Sequence, residues 1–141
     1  MGPDHSAMIL VVEDDPETRR FYSEVFVDSG FLVEQAHNGH QALEKARTLM
    51  PDIILTDIAV PGLDGIELCQ RLRSDVNTAH IPILGITGYE DRQYPDRALL
   101  AGADHVLTKP SDPETLVREA RRLLDGRADA PQSSVGARAS R

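Results

Sequence analysis

The sequence predicts an α/β fold, doubly wound around a parallel sheet of five strands in the order 2-1-3-4-5 with five helices. Five short apolar runs alternate with five stretches of helical periodicity, and the runs are apolar on consecutive residues rather than on every second one. A strand that is apolar throughout is buried on both faces, as when helices cover both sides of a parallel sheet. A third observation places the chemistry. The run Met8-Ile9-Leu10-Val11-Val12 ends in Glu13-Asp14-Asp15, and the run Ile53-Ile54-Leu55-Thr56 ends in Asp57. Charge at the tip of a buried strand is costly unless something binds it.

The elements follow in order. The first strand is Met8 to Val12. Asp15-Pro16 then starts a helix, with Asp as N-cap and Pro at the first helical position, and the helix runs to about Ser29 with Gly30 as its C′ residue. Phe31 to Ala36 is the second strand, and Asn38-Gly39 turns the chain. Ala42, Leu43, Ala46, Leu49 and Met50 recur at helical spacing, and Pro51 stops that helix. Ile53 to Asp57 is the third strand. Pro61-Gly62-Leu63-Asp64-Gly65 is a turn, with Asp64 capping a third helix that runs to about Asp75. Pro82 to Thr87 is the fourth strand, and residues near Asp91 to Ala101 form a fourth helix with Pro95 in or near its first turn. Ala103 to Thr108 is the fifth strand. Ser111-Asp112-Pro113-Glu114 reads as a capping-box start for the fifth helix, whose inner stripe is Leu116, Val117, Ala120, Leu123 and Leu124. Residues 1–7 read as a flexible leader, 8–125 as one domain, and 126–141 as a disordered tail or linker.

Composition excludes several classes. Fifteen Lys and Arg against twenty-three Asp and Glu leave a net charge of −8, which disfavours direct nucleic-acid binding. The single cysteine, Cys69, cannot form an internal disulfide and fits a reducing cytoplasm. No apolar run approaches the roughly 20 residues of a membrane helix, and no secretory signal is read. Met1-Gly2 with Ser6 fits a loose acylation pattern, set aside because Pro3 follows the glycine. His37 and His40 lack partners at zinc-like spacing.

In an open α/β sheet, ligands bind beyond the carboxyl ends of the strands, where the strand order reverses. With strands one and three as neighbours, Asp14 and Asp57 face each other across that point. Thr87 ends the fourth strand, and Lys109 follows the fifth, where a long side chain is needed to reach Asp57. Carboxylates with a backbone carbonyl make an oxygen-rich site suited to Mg²⁺. A carboxylate is also a nucleophile toward phosphorus, and Lys109 with Thr87 would neutralise the transferring group.

The segments ILVVEDDP, PDIILTDIAVPGLDG, PILGITG and AGADHVLTKP, in order over roughly residues 8–125, resemble the receiver domains of two-component response regulators. The resemblance implies a flavodoxin-like fold, like that of chemotaxis regulators. It also implies a cytoplasmic protein that takes a phosphoryl group from the phosphohistidine of a sensor histidine kinase or phosphotransfer protein. Asp57 would be the phosphoacceptor. Asp14 would ligate Mg²⁺ directly, Glu13 through water, and the Ala59 carbonyl would be the backbone ligand, with Mn²⁺ able to substitute. Thr87 would bind a phosphoryl oxygen, Lys109 would pair with the phosphoryl group, and Lys109-Pro110 would be a cis peptide. The surface of the fourth helix, fifth strand and fifth helix would address an unknown downstream protein or output domain, and phosphorylation-dependent homodimers are common among relatives.

Two positions depart from the family: Pro95, which can shorten or delay the fourth helix, and Val106. Three residues before the lysine, where Tyr or Phe swings inward on activation, stands Val106, and a β-branched aliphatic cannot swing in that way. His105, Tyr89 and Tyr94 are the nearby rings that might substitute. Gly88 leaves room for the phosphoryl group, and Ala59 and Tyr89 would flank the attacking water. Cys69 reads as a packed thiol, and Arg118, Arg121 and Arg122 as a solvated face that in this family often meets partners. Three other functions compete. A pseudo-receiver binding module would keep the fold without the phosphoryl cycle. A haloacid-type phosphatase would want a second acid where Ala59 stands. A nicotinamide enzyme would want a glycine loop where Glu13-Asp14-Asp15-Pro16 stands.

Overall fold

The computed structural model describes residues 6–59, 63–88, 94–109 and 111–129. The leader before Ser6, the Pro61-Gly62 turn, Tyr89, the stretch 91–93, Pro110 and the tail beyond Asp129 lie outside those residues. Strand and helix alternate as expected: β1 (Met8–Val12), α1 (Pro16–Asp28), β2 (Leu32–Ala36), α2 (Gly39–Leu49), β3 (Ile53–Asp57), α3 (Gly65–Ser74), β4 (Ile83–Gly88), α4 (Tyr94–Ala101), β5 (His105–Lys109) and α5 (Pro113–Asp129). The strands form one sheet in the order β2-β1-β3-β4-β5, and every neighbouring pair is parallel. The two crossovers leaving β1's side of the sheet run in opposite directions, so β1 and β3 flank the reversal of strand order.

Alternate residues of each strand feed two separate cores. Ile9, Val11, Ile53, Leu55, Leu84 and Ile86 pack with Tyr22, Phe26, Leu116 and Ala120 of α1 and α5. Leu10, Val12, Ile54 and Ile83 pack with residues of α2, α3 and α4, among them Ala46, Leu68, Leu72 and Ala98. That division explains why the strands carry no polar alternation, since both pleat faces are covered. Cys69 is fully buried in the second of these cores, and burial pushes its thiol up to about 12, the state of an inert packed cysteine.

Local chemistry sets the element ends. Asp15 caps α1 by accepting from Thr18 N at 2.9 Å, with Pro16 behind it, and Gly30 takes a φ of 95° just past the helix. Asp64 caps α3 through Glu67 N at 2.9 Å. Pro95 is the second residue of α4, where it removes no intrahelical bond.

Four readings of the sequence change. Asn38-Gly39 is a helix start rather than a free turn: Asn38 Oδ1 accepts from Gln41 N at 2.8 Å, and Gly39 sits against the Leu63 backbone where a Cβ would collide. The fifth helix does not use the box from Ser111 to Glu114. Asp112 Oδ1 accepts from Thr115 N at 2.7 Å, and Ser111 Oγ donates to Thr108 O at 2.9 Å. Pro113 at the first helical position fixes its predecessor as the cap, the same Asp-Pro grammar as Asp15-Pro16. α5 also continues through Gly126 to Asp129, past residue 125. Arg121 is more than a solvated charge, since it donates to Ser29 O at 2.6 Å and lies over the Phe31 ring, tying α5 to the end of α1.

Arg73, at the end of α3, joins three segments. Its guanidinium donates to Gly102 O at 2.9 Å, Ala79 O at 2.9 Å, Ile81 O at 2.6 Å and Asp104 Oδ2 at 2.8 Å. Asp104 in turn accepts from Ile83 N at 2.8 Å. A planar fork with five donors is the side chain able to satisfy such a set. Removing it takes a donor from three carbonyls and from the largely buried carboxylate of Asp104, which keeps Ile83 N. Arg73→Ala is therefore expected to lower unfolding free energy by about 2–4 kcal/mol in urea titrations, and an unchanged midpoint would count against the clamp.

Candidate functional site

The site lies at the carboxyl ends of β1, β3, β4 and β5. Val12 pairs with Thr56, and Glu13 N donates to Ala36 O at 3.0 Å, so Glu13 prolongs β1 by one residue and Asp14 begins the turn into α1. Asp57 closes β3 opposite Ile86. Its two oxygens are both engaged: Oδ1 accepts from Ala59 N at 2.9 Å and Oδ2 from Lys109 Nζ at 2.7 Å. Lys109 Nζ also approaches Glu13 Oε1 at 3.4 Å. The other Glu13 oxygen accepts from Asp15 N at 3.0 Å. Ligand oxygens of Glu13, Asp14 and Asp57 all lie within 4.8 Å of one another. Glu13 and Asp57 are buried and Asp14 is exposed, so the cluster has one open side.

This crowding has electrostatic consequences. Burial pushes the Glu13 carboxyl up to about 7; the Asp15 backbone N–H pulls against that, the Asp57 charge adds to it, and the Lys109 charge pulls it down. For Lys109, burial works against the ammonium. The hydrogen bond to Asp57 and the charges of Asp57 and Glu13 outweigh it and hold the group above the ordinary lysine value. A donor set made only of oxygens, crowded enough to hold a carboxyl near neutrality, fits a small hard cation such as Mg²⁺.

Thr87, one residue before the end of the β4–β5 ladder, is buried, and its Oγ1 has no hydrogen-bond partner among the described residues. Buried hydroxyls are nearly always paired, so this one stands out among the described residues. Gly88 follows without a side chain, beside Lys109 in register. The structure thus brings Glu13, Asp14, Asp57, Ala59 and Lys109 together at the strand tips, with Thr87 on the adjacent strand. Tyr89 and the Lys109-Pro110 peptide fall outside the described residues. Of the other rings, His105 points to α5, with Nε2 3.7 Å from Glu119 Oε1, and the side chain of Tyr94 lies outside the described set.

Two contributors escaped the sequence reading. Arg19, one helical turn beyond the Asp15 cap, donates through Nη1 to the Glu13 carbonyl at 2.9 Å and through Nε to Gln35 Oε1 at 3.0 Å, steadying the acidic turn. Its spacing from Asp15 was the available signal. Tyr22 is buried, and burial pushes its hydroxyl up to about 12. With Glu17, Thr18, Phe21, Lys109 and Ser111 it lines a groove of about 320 Å³ beside the acidic cluster. Its helical neighbours mark it only as a core position, so nothing in the sequence singled it out. A larger groove of about 600 Å³ runs between α1 and α5, lined in part by Phe21, Val25, Val117 and Arg121.

Among the described residues, no helix is long and apolar enough to cross a membrane. Residues 9–121 match the family model described as "Response regulator receiver domain". The chain is 37% identical over 126 residues to the DNA-binding dual master transcriptional regulator RpaA of Synechocystis sp., a match covering 89% of this chain and 52% of RpaA. It thus spans about half the length of that relative, and 26% of response regulator PleD of Caulobacter vibrioides, to which it is 38% identical over 118 residues. A putative response regulator from Chloroflexus aurantiacus superposes with a TM-score of 0.83 at 31% identity, covering 86% of this chain and 99% of that one. The receiver domain of sensor histidine kinase PA1611 from Pseudomonas aeruginosa, with a magnesium ion coordinated in its active site cleft, superposes with a TM-score of 0.80 at 28% identity, covering 86% and 99%. With its fold and its acidic cluster in agreement, this chain belongs to the response regulator receiver domain family of two-component signal transduction.

Proposed function

We propose that the chain is a signalling receiver that accepts a phosphoryl group on Asp57 from the phosphohistidine of a sensor histidine kinase or a phosphotransfer protein. The observation that carries this reading is the 2.7 Å contact of Lys109 Nζ with Asp57 Oδ2 inside the three-carboxylate cluster. In the transfer, an Asp57 oxygen forms a bond to phosphorus as the phosphorus–nitrogen bond breaks, and the electron pair of that bond leaves with the donor's imidazole. The contacts to Ala59 N and Lys109 hold the carboxylate in one orientation, so attack costs little further ordering. Lys109 then shifts its charge toward the phosphoryl oxygens, and the unpaired Thr87 hydroxyl donates to one of them. Asp14 and Asp57 would hold Mg²⁺ directly, with Glu13 acting through water and the Ala59 carbonyl completing the protein ligands; Mn²⁺ has the same oxygen preference. When bound, the cation supplies the divalent charge that offsets the acidic cluster and the phosphoryl oxygens. The groove lined by Thr18, Phe21, Tyr22 and Lys109 gives the donor's side chain an approach to Asp57. Drawing Thr87 inward would repack the α4-β5-α5 surface, which addresses a downstream protein or output domain, and a phosphorylation-dependent homodimer is one form that response takes.

Incubation with acetyl phosphate and Mg²⁺ followed by intact mass measurement tests the assignment. The unsubstituted chain is expected to gain one phosphate, Asp57→Asn none, and Lys109→Ala a phosphate with a much weakened surface response. Full labelling of Asp57→Asn would refute the site, and an unlabelled parent chain would favour a phosphorylation-independent binding module.

The raised Glu13 carboxyl sets a pH dependence. Between its ordinary value of 4.5 and its folded value of about 7, the folded chain binds more proton at this group than the unfolded chain does. Glu13 alone therefore makes the cation-free protein less stable as pH rises through that window. A bound cation favours the ionised form, so Mg²⁺ affinity is expected to climb from pH 6 to pH 8 and then level. Calorimetric titration at several pH values reads this, and Glu13→Gln should weaken binding and flatten the profile.

A further inference from the structure

Gly85 lies in the middle of β4, paired with Thr56 of β3 on one side and Val106 of β5 on the other. A Cβ placed there would lie 2.8 Å from Ile58 Cδ1, 3.4 Å from Ile58 Cγ1 and 3.4 Å from Val106 Cγ2. The space that a side chain would take is therefore already occupied, by the tip of Ile58 on one side and the flank of Val106 on the other. Ile58 directly follows Asp57 and is fully buried. Its backbone is held at both ends: its N donates to Ile86 O at 3.0 Å, and its O accepts from Gly65 N at 2.8 Å. Gly65 closes this junction tightly, since a Cβ on it would lie 2.5 Å from Ile58 Cα. Thr87, two residues beyond Gly85, shares its face of β4. Ile58, Ala98 and Ala101 belong to one buried core, and Val106 packs against that core. Ala98 and Ala101 are residues of α4.

We propose that Ile58, seated over Gly85 beside Val106, is a positioning residue that carries the phosphorylation state of Asp57 to the α4–β5 side of the molecule, in place of a ring swinging at position 106. The proposal rests on the phosphoacceptor reading of Asp57 and adds how that site is read out. A valine in a strand has a restricted χ1 and no long lever, so a change at the site reaches β5 as a displacement of packed methyl groups. A close-packed interior passes such a displacement on, because no void absorbs it. The gap at Gly85 lets the δ-methyl of Ile58 lie between the acceptor strand and the output strand. Such a route is established by coupling measurements and not by adjacency.

The experiment compares amide NMR shifts of Ala98, Ala101, Val106 and Leu107 before and after labelling with acetyl phosphate and Mg²⁺. The parent chain, Ile58→Val, Gly85→Ala and Ile54→Val are measured. Ile58→Val removes the δ-methyl and keeps the β-branch; it is expected to accept phosphate while its shift changes fall to less than half of the parent's. Gly85→Ala pushes the Ile58 tip aside and is expected to move the same amides before any phosphate is added. Ile54→Val trims the same core away from the gap and is expected to respond like the parent. Full-size shifts in labelled Ile58→Val, or an equal loss in Ile54→Val, would overturn the proposal. If Ile58→Val fails to fold, Gly85→Ala decides alone, and unmoved amides in it overturn the proposal. Failure of the parent to label would instead overturn the phosphoacceptor reading, so the two failures are told apart.

Discussion

One ion pair across two strand gaps governs the site. Adjacent strands lie about 4.8 Å apart, so Lys109 on β5 must span the width of β4, about 10 Å, to reach Asp57 on β3. It does so with a 2.7 Å contact. Without that ammonium, Glu13 and Asp57 would be two largely buried carboxylates at close range, a pairing that drives one of them to take a proton. Burial still pushes Glu13 up to about 7, so the lysine offsets only part of the cost. The remainder leaves the cluster receptive to a cation. The backbone donors of Ala59 and Asp15 fix the carboxylates in place, and Arg19 fixes the carbonyl of Glu13 behind them. The buried carboxylates are thus fixed by surrounding donors, and the exposed Asp14 leaves the cluster one open side.

Family membership and whole-protein activity are separate matters here. The chain matches the receiver family over most of its length, yet covers 52% of RpaA and 26% of PleD. What those longer proteins do with their remaining residues belongs to them. Within the receiver, Gly85 and Val106 stand as two small residues side by side in the ladder between β4 and the edge strand β5.

Much of this was legible in the residues, for identifiable reasons. The alternation of strand and helix was readable because doubly covered strands have no polar face and because Asp15 and Asp64 stand where they can cap α1 and α3. Asp57, Asp14 and Lys109 stood out because charge has no business at the end of an apolar strand unless it is used. Element ends shifted by a residue or two where competing local signals overlapped. Ser111 and Asp112 both offer an oxygen to α5, and only the position of Pro113 settles which one caps it. Asn38-Gly39 carries the composition of a turn, but the close approach of the Leu63 backbone, a contact 24 residues away in sequence, makes the glycine part of a helix start. Tyr22 and Ile58 were invisible as participants for a deeper reason. A buried residue at core spacing looks the same whether it merely fills space or borders a site, and only the fold tells which neighbour it touches.

The Arg73 clamp has a mechanical consequence for α4. The carbonyl of Gly102 and the carboxylate of Asp104, immediately past the helix, are bonded to α3, while Gly102 N is bonded back to Ala98 and Leu99. One end of this eight-residue helix is thus riveted to α3, its neighbour in the same layer. A body fixed at one end has a fulcrum. A nudge delivered along its length turns it about that point and sweeps its far end through the larger arc, so small movements in the sheet become large ones at the rim.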